Sequence, residues 1–454
     1  MKQLQSFVAK RPLFIVFLAI VAHLLLLART QFTAWPEMLL WPYLILKGWL
    51  PYKDIAIAHT PLLFTDLSVF YWIFGLGPVQ LKIYTWVLIL LTDGLLFWIV
   101  RKIWKTELAL IALLLYIPLQ FYYGGNGLWF DLALAPLVLL IYYCLRKQNY
   151  LWAGICWGIA FFTKQTAIWF LIPVFVMLLK TDLFKGIKNF AKGTILISLP
   201  ILAIIYLLGI LPNFFYWAVK FGIGVLPTAS GQILFPTIKQ MLVAVFPIAL
   251  LFLARLRLHK PSTTLLLWGV FGVLGVYPRW ELFHFQPGLP FIAIGLALML
   301  LSFPKMKVVE KSVLLIGLAL FLIVIARQTE RTWGQEDRFF EPQILQASAY
   351  IKNNTSKDDK IYVFNTWDNI YVLSDTLPAI RSWIPGLGWY VGLSGVQERM
   401  IAQLAEGRPR YIVIGQYDDT NSWVYKSELI LDFIRKNYVI KDKIGELSIL
   451  IVNK

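Results

Sequence analysis

Residues 30–63 read TQFTAWPEMLLWPYLILKGWLPYKDIAIAHTPLL and form the first long polar break in a hydrophobic chain. Glu37, Asp54 and His59 lie here between two apolar stretches. Carboxylates are costly to hold beside lipid, so an acid at a membrane edge marks a functional site by default. Glu37 comes directly after the first apolar run. An amphipathic run (38–46), a turn at Gly48 and a Pro-Tyr-Lys-Asp step follow it.

Outward from this stretch, the composition sets the class. Of 454 residues, 59% are hydrophobic and only 15% charged. Apolar runs of roughly 17–25 residues recur, the length that crosses a hydrocarbon core. Cys144 and Cys156 both sit inside apolar runs and read as packing residues, lacking the spacing of redox or metal motifs. The basic start and residues 13–27 read as an uncleaved first helix.

A net charge of +17 suggests nucleic acid until its distribution is read. Lysines and arginines cluster between the spans: Lys10-Arg11, Arg101-Lys102 with Lys105, Arg146-Lys147, residues 180–192, Arg255 with Arg257 and Lys260, and Lys305 with Lys307 and Lys311. Such clusters mark cytoplasmic loops, so the charge is a topology signal and no nucleic-acid partner is expected. All six clusters fall inside only if the short, Asp66-interrupted piece 61–74 lies in the interface. Spans are then expected near 12–29, 80–100, 107–123, 129–145, 150–163, 164–180, 194–211, 238–254, 263–277, 288–303 and 311–327. The expected fold class is a polytopic α-helical membrane protein of about 11 spans, N-terminus inside and C-terminus outside.

After Arg327 the pattern changes. Helices are expected at 343–353, 396–406 and 428–437, and strands at 360–364, 411–415 and 446–452. Their alternation indicates a small extracytoplasmic α/β domain with a mainly parallel sheet. The domain division is therefore 1–327, a transmembrane catalytic part with its first external loop at 30–80, and 328–454.

On this topology the ionisable residues with chemical potential share one membrane face. Besides the first loop, these are Asp131 in the run Asn126 to Asp131, Lys164 in the turn Thr163-Lys164-Gln165, and Arg279, Glu281 and His284 before a Leu-Pro helix start. Glycosyl transfer from a lipid phosphate, the activity that the family resemblance of these motifs implies, needs such a set. A carboxylate takes the acceptor's proton, cations stabilise the departing phosphate, and aromatic faces stack on sugar. Glu37 is the candidate base and Asp54 the alternative. Lys53, Lys164 and Arg279 are candidate cations, with His59, Asp131 and His284 as further substrate-binding candidates. Trp35, Trp41, Tyr52, Trp129 and Trp280 supply faces, though Asp131 also fits an N-cap and Lys164 a snorkelling span end.

The order of motifs resembles the GT-C-type glycosyltransferases, in the branch of protein O-mannosyltransferase-like and aminoarabinose-transferase-like enzymes. The matching residues are Glu37, then Gly48-Trp49-Leu50-Pro51-Tyr52-Lys53-Asp54, then His59-Thr60-Pro61, Thr163-Lys164-Gln165, and Pro278-Arg279 through Leu289-Pro290. The commoner family pattern is an Asp-Glu pair where this chain has Pro36-Glu37. The resemblance implies a membrane glycosyltransferase of the cell envelope, taking sugar from a polyprenyl-phosphate donor to a protein, lipid or glycan acceptor. Some relatives hold a divalent metal on acidic loop residues; with few clustered acids here, no cofactor is expected. A secondary transporter or lipid flippase is the alternative class. It calls for inverted repeats or midplane charges, and neither is apparent in the sequence.

Overall fold

A computed structural model describes residues 11–228, 233–258, 260–277, 279–382, 388–415 and 427–453. Lys10 and Pro278, named above, lie outside them. The helices in chain order are α1 (Pro12–Arg29), α2 (Pro36–Leu46), α3 (Leu62–Phe74), α4 (Pro78–Ile103), α5 (Thr106–Tyr122), α6 (Phe130–Arg146) and α7 (Tyr150–Thr163). A 3-10 turn, Gln165–Phe170, leads into α8 (Leu171–Leu178), followed by α9 (Leu183–Leu207) and the short α10 (Leu211–Phe214), which runs on as a π-helix, Phe215–Val225. Then come α11 (Ile238–Leu258), α12 (Lys260–Val273), α13 (Leu289–Leu301) and α14 (Val308–Thr332).

Every expected span falls on a helix. Among the described residues, α1, α4, α9 and α14 are long and apolar enough to cross a membrane, and seven shorter apolar helices accompany them. Their outward faces carry Leu13, Phe17, Leu25, Ile195, Leu199, Leu315 and Leu320, all exposed. Apolar surface on this scale is incompatible with water and fits a lipid solvent, so the chain is a polytopic α-helical membrane protein. With 13 residues, α3 is about 20 Å long, short of a hydrocarbon core of about 30 Å.

The remaining elements are α15 (Pro342–Asn354), β1 (Lys360–Phe364), α16 (Asn369–Ser374), β2 (Leu377–Pro378), α17 (Gly388–Val391), α18 (Val396–Gly407), β3 (Tyr411–Ile414), α19 (Glu428–Asn437), β4 (Tyr438–Ile444) and β5 (Leu447–Val452). The strand order is β2-β1-β3-β5-β4. β1 pairs parallel with β2 and β3, whereas β5 pairs antiparallel with β3 and β4. The sheet is mixed, not mainly parallel. The reason is a hairpin, β4–β5, turned at Gly445 with φ +58°; β4, YVIKDKI, carries a block of charges at its centre, is largely exposed and follows directly on α19.

The chain divides into two compact units. The first comprises Met1–Phe32, Lys82–Leu202 and Phe235–Gln335; the second comprises Thr33–Leu81, Ala203–Leu234 and Glu336–Lys454. The core of the first is aromatic and aliphatic, centred on Tyr142, Trp268 and Phe291. In the second, Tyr362, Phe364, Ile412, Ile430 and Leu450 form a core that also takes in Ala56. The 30–80 stretch thus shares a core with the sheet.

Within that stretch, Pro36 opens α2 at a position where its missing N–H is not needed. The helix stops by a Schellman arrangement. Gly48, at φ +83°, donates its N–H to the Ile45 carbonyl, and Trp49 donates to the Leu44 carbonyl. Residues Met38 through Leu44 are all buried, so α2 is a core helix and the amphipathic reading of 38–46 is corrected.

Candidate functional site

In the first unit, three of the sequence candidates meet. Asp131 lies in the first turn of α6, Lys164 ends α7, and His284 lies in a 3-10 turn, Leu282–Phe285, before α13. Asp131 Oδ2 accepts from Lys164 Nζ at 2.5 Å and from His284 Nδ1 at 2.7 Å. Exposures of 1%, 3% and 9% take all three out of solvent. Lys164 Nζ also stands 3.2 Å from His284 Nδ1. Both atoms aim their N–H at one carboxylate, so this short approach is set by the shared acceptor. Burial and the adjacent Lys164 charge hold the His284 imidazole below its usual range. With Nδ1–H committed to Asp131, Nε2 is the acceptor nitrogen, and it has no partner among the described residues.

Glycines allow this convergence. A Cβ on Gly272 would meet Gly288 Cα at 2.5 Å, so α12 and the start of α13 touch backbone to backbone. Arg279 Nε donates to Glu281 at 2.6 Å and the pair is half-buried. Asn126 is structural: its Nδ2 donates to the carbonyls of Leu27 and Thr30 at the end of α1, and its Oδ1 accepts from Trp86 Nε1. These carbonyls are orphans at a helix end, and the amide satisfies them.

In the second unit, Glu37 occupies the first turn of α2, where the helix dipole favours an anion. Asp54 is committed elsewhere. Its carboxylate accepts from Arg381 Nε at 3.1 Å and Nη2 at 3.0 Å, and from the Leu50 N–H at 2.9 Å. Burial raises this acid, but the Arg381 and Leu50 hydrogen bonds outweigh burial and hold it below the usual carboxylate range. Lys53 is exposed, and its carbonyl accepts from Ser382 Oγ. His59 is half-buried beside Trp41, and its carbonyl accepts from the Tyr52 hydroxyl at 2.8 Å.

Sequence reasoning missed several partners, all from the distal segment. Asp368 opens α16, and burial together with the Glu37 charge pushes its carboxyl well above the usual range. Lys47 Nζ pairs with Asp358 and, at 2.8 Å, with Asp375, which also accepts from the Tyr43 hydroxyl. Arg338 stacks on Trp35 and Phe339, and Phe339 packs on Trp367. The one sequence signal for Asp368 is its place just after a buried strand.

Among the described residues no group of three or more His, Cys, Asp or Glu side chains is placed to hold a metal. Asp131 and His284 offer two donors, but Lys164 Nζ occupies the adjoining side and repels a cation. This donor set does not fit a divalent ion.

No protein-family model matches the chain, and no curated protein matches it. Solved structures do. ArnT from Cupriavidus metallidurans bound to undecaprenyl phosphate superposes with TM-score 0.66 at 13% identity, covering 96% of this chain and 97% of that one. Its apo state gives 0.65 at 14%, covering 97% and 98%. The apo oligosaccharyltransferase of Archaeoglobus fulgidus gives 0.54 at 12%, covering 89% of this chain and 69% of the other. At such identities the likeness speaks for architecture alone: the chain shares the overall fold of these solved structures.

Proposed function

We propose that this protein transfers a sugar from a polyprenyl-phosphate carrier to an acceptor hydroxyl at the outer membrane face. The observation that carries the reading is the buried Asp131–Lys164–His284 cluster, in a chain whose fold matches a protein bound to undecaprenyl phosphate. Lys164 has three N–H groups. Asp131 takes one and fixes the ammonium in place, and the others remain for a phosphate oxygen. Arg279 is the second cation, suited to bidentate phosphate contact.

The acceptor oxygen attacks the anomeric carbon as the bond from that carbon to the phosphate oxygen breaks. Polyprenyl phosphate leaves with the electron pair, and the acceptor proton passes to Glu37. Asp54 is the weaker base because Arg381 and Leu50 already occupy both its oxygens. Burial and the Glu37 charge raise the Asp368 carboxyl well above its usual range in the same unit. Lys53 and His59 are further candidates for substrate binding in this reading. Residues 328–454 belong outside the cell in this reading, since the six basic clusters then face the cytoplasm.

Purified protein incubated with a panel of polyprenyl-phosphate sugars tests it. Release of free polyprenyl phosphate with sugar on an acceptor is the expected result. Carrier moved intact across a vesicle bilayer, with no release, would make the protein a flippase instead.

A further inference from the structure

His23 of α1, Asp93 of α4 and Gln120 of α5 are fully buried between apolar helices, and the transfer chemistry uses none of them. His23 Nδ1 lies 2.7 Å from Asp93 Oδ2, and Nε2 lies 3.0 Å from Gln120 Oε1. Protons can be counted along this chain. Gln120 Nε2 faces the Gly125 carbonyl at 3.0 Å, and only an N–H can point there. That orients Oε1 toward His23, so His23 Nε2 must carry a hydrogen. The Nδ1–Oδ2 line then holds one proton, on nitrogen or on oxygen.

Asp93 Oδ1 decides between them. It is buried with no partner among the described residues, as is the hydroxyl of Tyr116 on α5. A carboxylate with a bare oxygen away from water is far more costly than a carbonyl-like oxygen of a neutral acid. We infer that Asp93 is held as a neutral acid donating its proton to His23 Nδ1, and that this pair, through Gln120, positions the loop 124–129 that leads into α6 and Asp131. The loop leans on the amide: a Cβ on Gly125 would meet Gln120 Nε2 at 2.0 Å, and the Gln120 carbonyl accepts from both Gly125 N–H and Gln286 Nε2. Gln286 is two residues from His284, so two arms of the buried cluster share this anchor. The inference rests on the proposed transfer reading only for what the loop does in catalysis; the proton and the anchoring stand apart from it.

The tests accordingly need no activity. In infrared difference spectra of the full chain at neutral pH, wild type minus Asp93→Asn should show loss of a carboxylic-acid C=O stretch. Loss of carboxylate stretches in its place overturns the neutral acid. Asp93→Asn supplies a neutral N–H donor to Nδ1, so it should fold and keep wild-type hydrogen exchange over 124–129; failure to fold also overturns the proposal. His23→Phe should speed exchange in that loop by about 3- to 10-fold, as expected for losing one buried hydrogen bond. Gln120→Met cuts the same link and leaves the His23–Asp93 hydrogen bond in place, and decides alone if His23→Phe does not fold. Unchanged loop exchange in Gln120→Met overturns the positioning role.

Discussion

Arg381 grips Asp54 across 327 positions of sequence, Nε to Oδ1 and Nη2 to Oδ2, while the Leu50 N–H closes the same carboxylate from within its own loop. The Arg381 guanidinium also stacks over Trp49 at 5.2 Å. This contact ties the 30–80 stretch to the distal segment inside one compact unit. It also answers which of two acids in the first loop is committed to structure.

Asp54→Asn is therefore expected to loosen the loop without removing a proton acceptor. Arg381 is largely exposed, so the clamp contributes about 0.5–1 kcal/mol after solvent screening. Because the folded carboxyl lies below its unfolded value, this stability is present above the ordinary carboxylate pKa and lost as pH falls through the folded one. Thermal midpoints of wild type and Asp54→Asn should differ at neutral pH and converge in strong acid. A gap that persists there contradicts the assignment.

The sequence alone made the apolar helices legible because long apolar runs stand out by composition. The strands KIYVF and YIVIG were legible because buried parallel strands read as continuous apolar runs. Asp131, Lys164 and His284 were each visible as oddities at span ends, but not as one cluster; their meeting depends on backbone contacts such as Gly272 with Gly288. Asp368, Arg381 and Asp375 were not legible, since a surface-type polar residue acquires meaning only from the partner that folding brings. The His23–Asp93 pair was passed over inside helices whose mean apolarity concealed single polar residues.

The Lys164–Asp131 pair predicts a marked asymmetry. Removing one partner strands a buried charge and costs about 3–5 kcal/mol, whereas removing both strands no charge and leaves only the His284 imidazole unpaired. Lys164→Met and Asp131→Leu should each be strongly destabilised, and the double variant should be more stable than either. Additive losses in thermal unfolding count against the pair.

Donor use should respond to Arg279. Arg279→Gln is expected to raise the KM for polyprenyl-phosphate sugar by about 10- to 150-fold, matching about 1.5–3 kcal/mol for a hydrogen bond to a charged group. Unchanged donor kinetics would remove Arg279 from the phosphate.

Membrane orientation is checked by single cysteines introduced near Asp359 and Lys188. An impermeant thiol reagent on intact cells should label the first and spare the second. The reverse pattern inverts the topology and the proposed face of the reaction with it.

Glu37 and Asp368 give the last prediction. Burial and the Glu37 charge raise the Asp368 carboxyl, so the folded chain prefers it protonated. A raised carboxyl stabilises the fold below its unfolded pKa, and that contribution is lost as pH climbs toward the folded value. Asp368→Asn has no proton to lose, so its thermal midpoint should gain on wild type as pH rises. Glu37→Gln removes the charge that helps raise Asp368 and so should show a weaker shift in the same direction. In the transfer assay Glu37→Gln should still take up donor but lose turnover by about 10²–10⁴-fold, the contribution of a positioned base. Asp54→Asn should stay within about tenfold of wild type, since its carboxylate is spent on Arg381. If Asp54→Asn is dead and Glu37→Gln turns over normally, the proton goes to Asp54 and the Arg381 clamp must open during each cycle.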